Sequence, residues 1–178
     1  MRLRAAVIAF VLALALLAAG CGGSDDDEDP TAAWASGFCT AVTTWTDALQ
    51  DVGSQFADAS NLSEDGLRSA ADDVRSATDE FVDDVRGLGA PETPSGEAVR
   101  TALDSASTTL EDEAAKIEEA AADVSNLTEL PAAITTVTQS LSAMGDAFAS
   151  ALQTIQDEDV GDELQAALED SPECAGIS

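Results

Sequence analysis

The chain has 178 residues, with 35 Asp plus Glu against 7 Lys plus Arg, 3 Cys, 2 Trp, 5 Phe, no Tyr and no His. Without histidine there is no Ser/His/Asp or Cys/His nucleophile system, no His-ligated zinc or haem, and no di-iron centre built on Glu-x-x-His pairs. A net charge of -28 repels a phosphate backbone and argues against a nucleic-acid partner, while 45% apolar content argues for a packed domain over wholesale disorder.

Arg2 and Arg4 precede an uncharged apolar run over residues 5–19, and Gly20-Cys21-Gly22-Gly23 and an acid run follow it. That is the layout of a secretory signal peptide, since a bilayer-spanning helix needs about 20 apolar residues. The two arginines are not adjacent, which favours the Sec route over the twin-arginine route. Leu17-Ala18-Ala19-Gly20-Cys21 resembles the lipobox of bacterial lipoproteins, with Ala18 where that family most often has Leu. The resemblance implies that residues 1–20 are removed, that Cys21 carries a thioether-linked diacylglycerol (palmitate or similar acyl chains), and that the chain is anchored at the outer face of the plasma membrane. Two acyl chains make such anchoring stable where one is marginal. The alternative is an ordinary secreted protein with an incidental Cys21. The Ala-, Asp- and Thr-rich composition with one Lys resembles small exported lipoproteins of high-GC Gram-positive bacteria.

Loss of residues 1–20 leaves 35 acids against 5 bases, or -30. Residues 21–31 then read as a tether: Gly22-Gly23-Ser24, followed by Asp25-Asp26-Asp27-Glu28-Asp29-Pro30. Like charges extend it, and about ten residues reach up to roughly 35 Å.

From residue 32 to 178 the apolar residues recur at the helical period. The first stripe is Trp34, Phe38, Val42, Trp45, Leu49, Val52, Phe56, and the second is Leu67, Ala70, Val74, Ala77, Phe81, Val85, Leu88. Gly87 and Gly89-Ala90-Pro91 stop the second helix. The third stripe is Val99, Leu103, Ala106, Leu110, Ala114, Ile117, Ala120, Val124. The fourth is Ile134, Val137, Leu141, Met144, Phe148, Leu152, Ile155, and a short fifth holds Val160, Leu164, Leu168. A mean spacing near 3.5 and short connections predict an all-α fold, an antiparallel up-down-up-down four-helix bundle plus a short C-terminal helix. Abundant Ala on the stripes predicts a packed core and not a roomy cavity.

Residues 57–64 (ADASNLSE) match residues 122–129 (ADVSNLTE) at an offset of 65, at the first and third turns, which suggests two related αα-hairpins. Ser63 and Thr128 are expected N-caps, Leu62 is placed to staple onto Leu67, and Pro131 suits a first helical turn.

With Cys21 acylated, Cys39 and Cys174 remain, an even pair in an oxidising compartment, and a disulfide between them is expected. Asn61, Ser63, Asp65 and Asp72, with Gly66, partly follow EF-hand spacing. Asn61 stands where Asp is needed, Arg68 where an apolar residue is needed, and the copy at Asn126 lacks the ligands, so a capping turn is the better reading. Asp157 to Glu163 clusters carboxylates with Gly161 misplaced for such a loop. Other acids lie off the apolar stripes and read as a solvated face, Trp34 and Trp45 read as core, and Asn61 and Asn126 read as capping residues and not glycan sites. No catalytic residue and no cofactor other than the Cys21 lipid is expected. The expected role is a non-enzymatic interaction module for a protein or envelope component; the alternative is a small-ligand or cation-binding sensor or carrier domain.

Overall fold

A computed structural model describes residues 29–56, 63–126, 128–156 and 161–175. It is all helical: α1 Pro30–Phe56, α2 Glu64–Leu88, α3 Gly96–Ala122, α4 Leu130–Gln156, α5 Asp162–Asp170, and a 3-10 turn at Pro172–Cys174. The four long helices form the expected bundle, with the short fifth helix packed on α1.

Each boundary has a local chemical cause. Asp29, the last acid of the acidic run, caps α1 by accepting the Thr31 N–H at 2.9 Å, with Pro30 in the first turn where its missing N–H costs nothing. The helix therefore starts two residues before the 32 expected from the apolar period, and Thr31 is buried. Ser63 caps α2 as expected, its Oγ accepting the Gly66 N–H at 3.0 Å. α2 ends on Gly89, whose φ of 69° is the left-handed region that glycine adopts without a Cβ clash. α3 starts on Gly96 for a different reason: a Cβ there would fall on the Pro91 carbonyl oxygen.

The turn before α4 corrects the expected Thr128 cap. Thr128 donates its N–H to Asn126 Oδ1 at 3.0 Å and its hydroxyl to the same oxygen, so Asn126 closes an Asx-type turn. Glu129 reaches back instead, accepting the Ser125 N–H at 2.8 Å and the Ser125 hydroxyl at 3.0 Å, and these bonds hold its carboxyl below the usual range. Arg68 on α2 donates to the Val124 carbonyl in this turn. Ser63 and Thr128, which correspond in the repeat, thus take different partners. Residues 57–62, Leu127, Val160 and the Phe56 side chain lie outside the described residues, and with them the Leu62 staple and most of the first copy of the repeat.

Close backbone approach follows chain order, α1 with α2, α2 with α3, α3 with α4, and α5 and the 3-10 turn against α1. Gly37 on α1 faces Leu88 on α2 so tightly that a Cβ would sit 2.6 Å from Leu88 Cδ2. Rings bridge the α1–α4 side of the bundle: Trp45 stacks on Phe81 of α2 with centroids 4.9 Å apart and meets Phe148 of α4 at 5.6 Å. The stripes on α1, α2 and α3 are buried nearly throughout, whereas on α4 Ile134, Leu141, Phe148 and Leu152 are only half-buried. Buried polar side chains are Thr31, Thr78, Ser107, Ser140 and Ser171, and no charged side chain is buried among the described residues. Both indoles are core, with Trp34 Nε1–H donating to the Gly89 carbonyl at 3.0 Å.

Candidate functional site

The amino end of α1, the carboxyl end of α4, α5 and the 3-10 turn meet at one end of the bundle, the end at which residues 1–28 join. α5 is nine residues long and fully buries one side chain, Leu164. A helix so short is marginal alone. It is fastened through the 3-10 turn, where Cys174 is disulfide-bonded to Cys39 with the Cα atoms 5.0 Å apart. Cys39 is buried at 2% exposure and Cys174 half-buried, which places the expected pair together.

Two open clefts flank this clamp. One, of about 560 Å³, has an apolar floor of Phe38, Leu152, Ile155 and Leu168 and a polar rim that includes Gln156 and Gln165. The other, of about 720 Å³, lies between α1 and α5, with Ala33, Gly37 and Ala166 in its walls and Asp29, Glu163, Asp170 and Glu173 around it. The N–H of Glu173 itself and the hydroxyls of Ser171 and Ser36 hold the Glu173 carboxyl below its usual range, keeping that rim anionic. Sequence reasoning foresaw the packed interior and missed both clefts. The short fifth stripe was the available signal, because a nine-residue helix cannot cover the whole end of a four-helix bundle.

The acidic turn is not assembled as a metal loop. α2 begins at Glu64, so the segment from Asp65 to Asp72 is helical and cannot wrap a cation as an EF-hand loop does. Ser63 Oγ is engaged as the cap, Asp65 is fully exposed and lies 3.5 Å from Arg68, and Asp72 is exposed. Asn61 lies outside the described residues, as do residues 157–160. No cluster of three or more Cys, Asp or Glu able to hold a metal occurs among the described residues. Near-physiological calcium is accordingly expected to raise the melting temperature only as much as sodium at matched ionic strength, with Asp65→Ala unchanged in this respect. A saturable calcium-specific rise, removed by Asp65→Ala in thermal melts, is the contrary result.

Charge is distributed unequally over the bundle. The bases Arg68, Arg75, Arg86, Arg100 and Lys116 all lie on α2 and α3, each within an ion pair with Asp or Glu. Those two helices also carry eight and seven acids. α1 holds only Asp47 and Asp51, α4 only Asp146, and neither holds a base. Between α2 and α3, Arg86 forks onto both carboxylate oxygens of Glu111 at 2.9 Å each. Glu113 is held below its usual range first by the Lys116 ammonium and then by the Ser140 hydroxyl of α4.

These features define a disulfide-clamped, acidic four-helix bundle in which α1 and α4 themselves carry little charge. No protein-family model matches the chain, and no curated protein or solved structure matches it either. No described helix is long and apolar enough to cross a membrane.

Proposed function

We propose that the protein is a membrane-anchored extracytoplasmic lipoprotein, tethered through lipid on Cys21 after Sec export, whose bundle docks a protein or envelope component and performs no catalysis. The docking role rests on one observation above the others: the apolar surface lined by Phe38, Leu152, Ile155 and Leu168 is an open cleft at the tether end, not an enclosed chamber with convergent polar groups. The chain offers little nucleophile chemistry, with no histidine and with Cys39 and Cys174 joined to each other. The second reading, a small-ligand sensor or carrier, draws on the same cleft, because about 560 Å³ is a volume that small molecules fill.

Cys21→Ser is expected to move the protein from the membrane fraction to the medium with its helix content intact; retention on membranes after a salt wash refutes the anchor. For docking, affinity capture from native membranes is expected to recover a macromolecular component with the wild type that Leu168→Glu loses. A small molecule released from the purified wild type on denaturation, and absent from Leu168→Glu, selects the second reading instead.

A further inference from the structure

We infer that the α1/α4 side of the bundle is a self-association surface and that a second copy of this chain occupies it. The inference specifies a partner for the docking reading above and does not depend on the lipid.

The starting observation is a second heptad stripe on α4. Ala133, Val137, Ser140, Met144 and Ala151 are buried in the bundle. One residue along, Ile134, Thr138, Leu141, Gly145, Phe148 and Leu152 repeat at alternating spacings of four and three, and each of them is half-buried or exposed. That spacing is the signature of a seam between helices. Leu49 of α1 is likewise half-buried, and the backbones of α1 and α4 are held together by rings and not by close approach. The apolar surface of α4 is therefore wider than its own bundle covers.

Charge identifies the occupant. On a chain with 35 acids, two copies that approach through α2 or α3 bring eight or seven carboxylates per helix toward one another. Helices α1 and α4 themselves carry Asp47, Asp51 and Asp146 alone, and the acids of α5 and the 3-10 turn lie at the Asp29 end only, so pairing the lengths of α1 and α4 beyond α5 is the approach of least repulsion, with α2 and α3 left outermost. The membrane is a poorer occupant, because the exposed positions of α1 and α4 hold no Lys, Arg or Trp to seat a helix at a lipid headgroup. Exposed Thr, Ser, Ala and Gly lose little side-chain entropy on burial and let helices come close.

Size and chain direction agree with this pairing. Beyond the end that α5 and the 3-10 turn occupy, about 20 residues of each helix present a face of about 30 Å by 20 Å, or about 600 Å², at the low end of the area per partner of a standard-size interface. A two-fold axis parallel to the bundle keeps both Asp29 ends, and with them both copies of residues 1–28, on one side. Two tethered copies can meet in that arrangement without either tether reversing.

The test uses the full-length chain in mild detergent, followed by sedimentation velocity across a concentration series. Thr138→Glu with Gly145→Glu puts two charges into the stripe at exposed positions, and a Cβ at residue 145 meets nothing within 4 Å. Ser69→Glu with Ser76→Glu adds the same charge at exposed positions of α2. The wild type and the α2 variant are expected to dimerise alike, and the α4 variant to bind at least ~100-fold more weakly with unchanged helix content. A monomeric wild type at every concentration overturns the inference, as does equal weakening by both variants or none by the α4 variant. Binding of the Cys21→Ser chain to phosphatidylcholine vesicles that the α4 variant alone abolishes would assign the surface to lipid and overturn it too. None of these readouts depends on whether Cys21 is acylated, so failure here leaves the anchor and a foreign docking partner standing.

Discussion

Cys39→Ala combined with Cys174→Ala is expected to lower the unfolding midpoint by about 10–20 °C, with little loss of helix content in the folded protein. The bond joins residues 135 apart, and closing so long a loop removes entropy from the unfolded chain on the order of 5 kcal/mol by the chain-entropy argument. A second effect acts in the native state. α5 buries only Leu164 completely, and the one covalent tie between this end and α1 is the disulfide in the 3-10 turn, so without the bond this end of the bundle opens first. Opening exposes Phe38 and Ile155, while the four long helices remain paired through their own cores. Calorimetry of wild type and double variant, each with and without a dithiol reductant, separates the clamp from a general effect of reduction. The reductant is expected to act on the wild type and to leave the variant unmoved. An unchanged midpoint in the variant removes the clamp from the account of stability.

The helices were legible because the evidence for them is repeated every turn. Seven or eight apolar residues at one period outweigh any single deviation, and the stops at Gly89 and Pro91 are nearly deterministic. The disulfide followed from arithmetic on three cysteines once Cys21 was set aside as the expected lipidation site. What escaped depended on one side chain choosing between partners. Thr128 had the chemistry of a cap, but Asn126 sits two residues before it and takes both of its donors, leaving Glu129 to satisfy Ser125. Asp29 looked like the end of a charge run and is the cap of α1. The depth of the α4 stripe was also hidden, because periodicity says which face turns inward and not how much of it the neighbours cover. Ile134 and Leu141 score like Val99 and Leu103 in sequence, yet the first pair is half-buried and the second buried. The separation of charge between helices needed only the helix boundaries. It becomes informative once α1 and α4 are known to share a side.

Trp45→Ala is expected to cost about 3–5 kcal/mol, the range for removing a large aromatic side chain from a core, and to fall toward its upper end. Trp45 is 4% exposed and joins three helices, stacking on Phe81 of α2 at an interplanar angle of 20° and meeting Phe148 of α4, while Phe81 and Phe148 make an edge contact at 6.0 Å. Deleting the indole leaves the space between α1 and α4 without the group that spans it. Closing that space requires α4 to move as a body, which its close packing on α3 resists. The hole therefore persists, and the cost of an unrelieved cavity adds to the lost transfer energy. The indole N–H contributes little, since its contact with Thr78 Oγ1 is long at 3.4 Å. Trp45→Phe is accordingly expected to restore most of the stability, and Leu49→Ala, at a half-buried position on the same helix, to cost clearly less than Trp45→Ala. Denaturant titrations followed by circular dichroism, with Trp34 as a second, fluorescent probe, measure all three. If Trp45→Ala and Leu49→Ala prove equally costly, the rings do not hold α1 to α4, and another contact must bridge that side of the bundle.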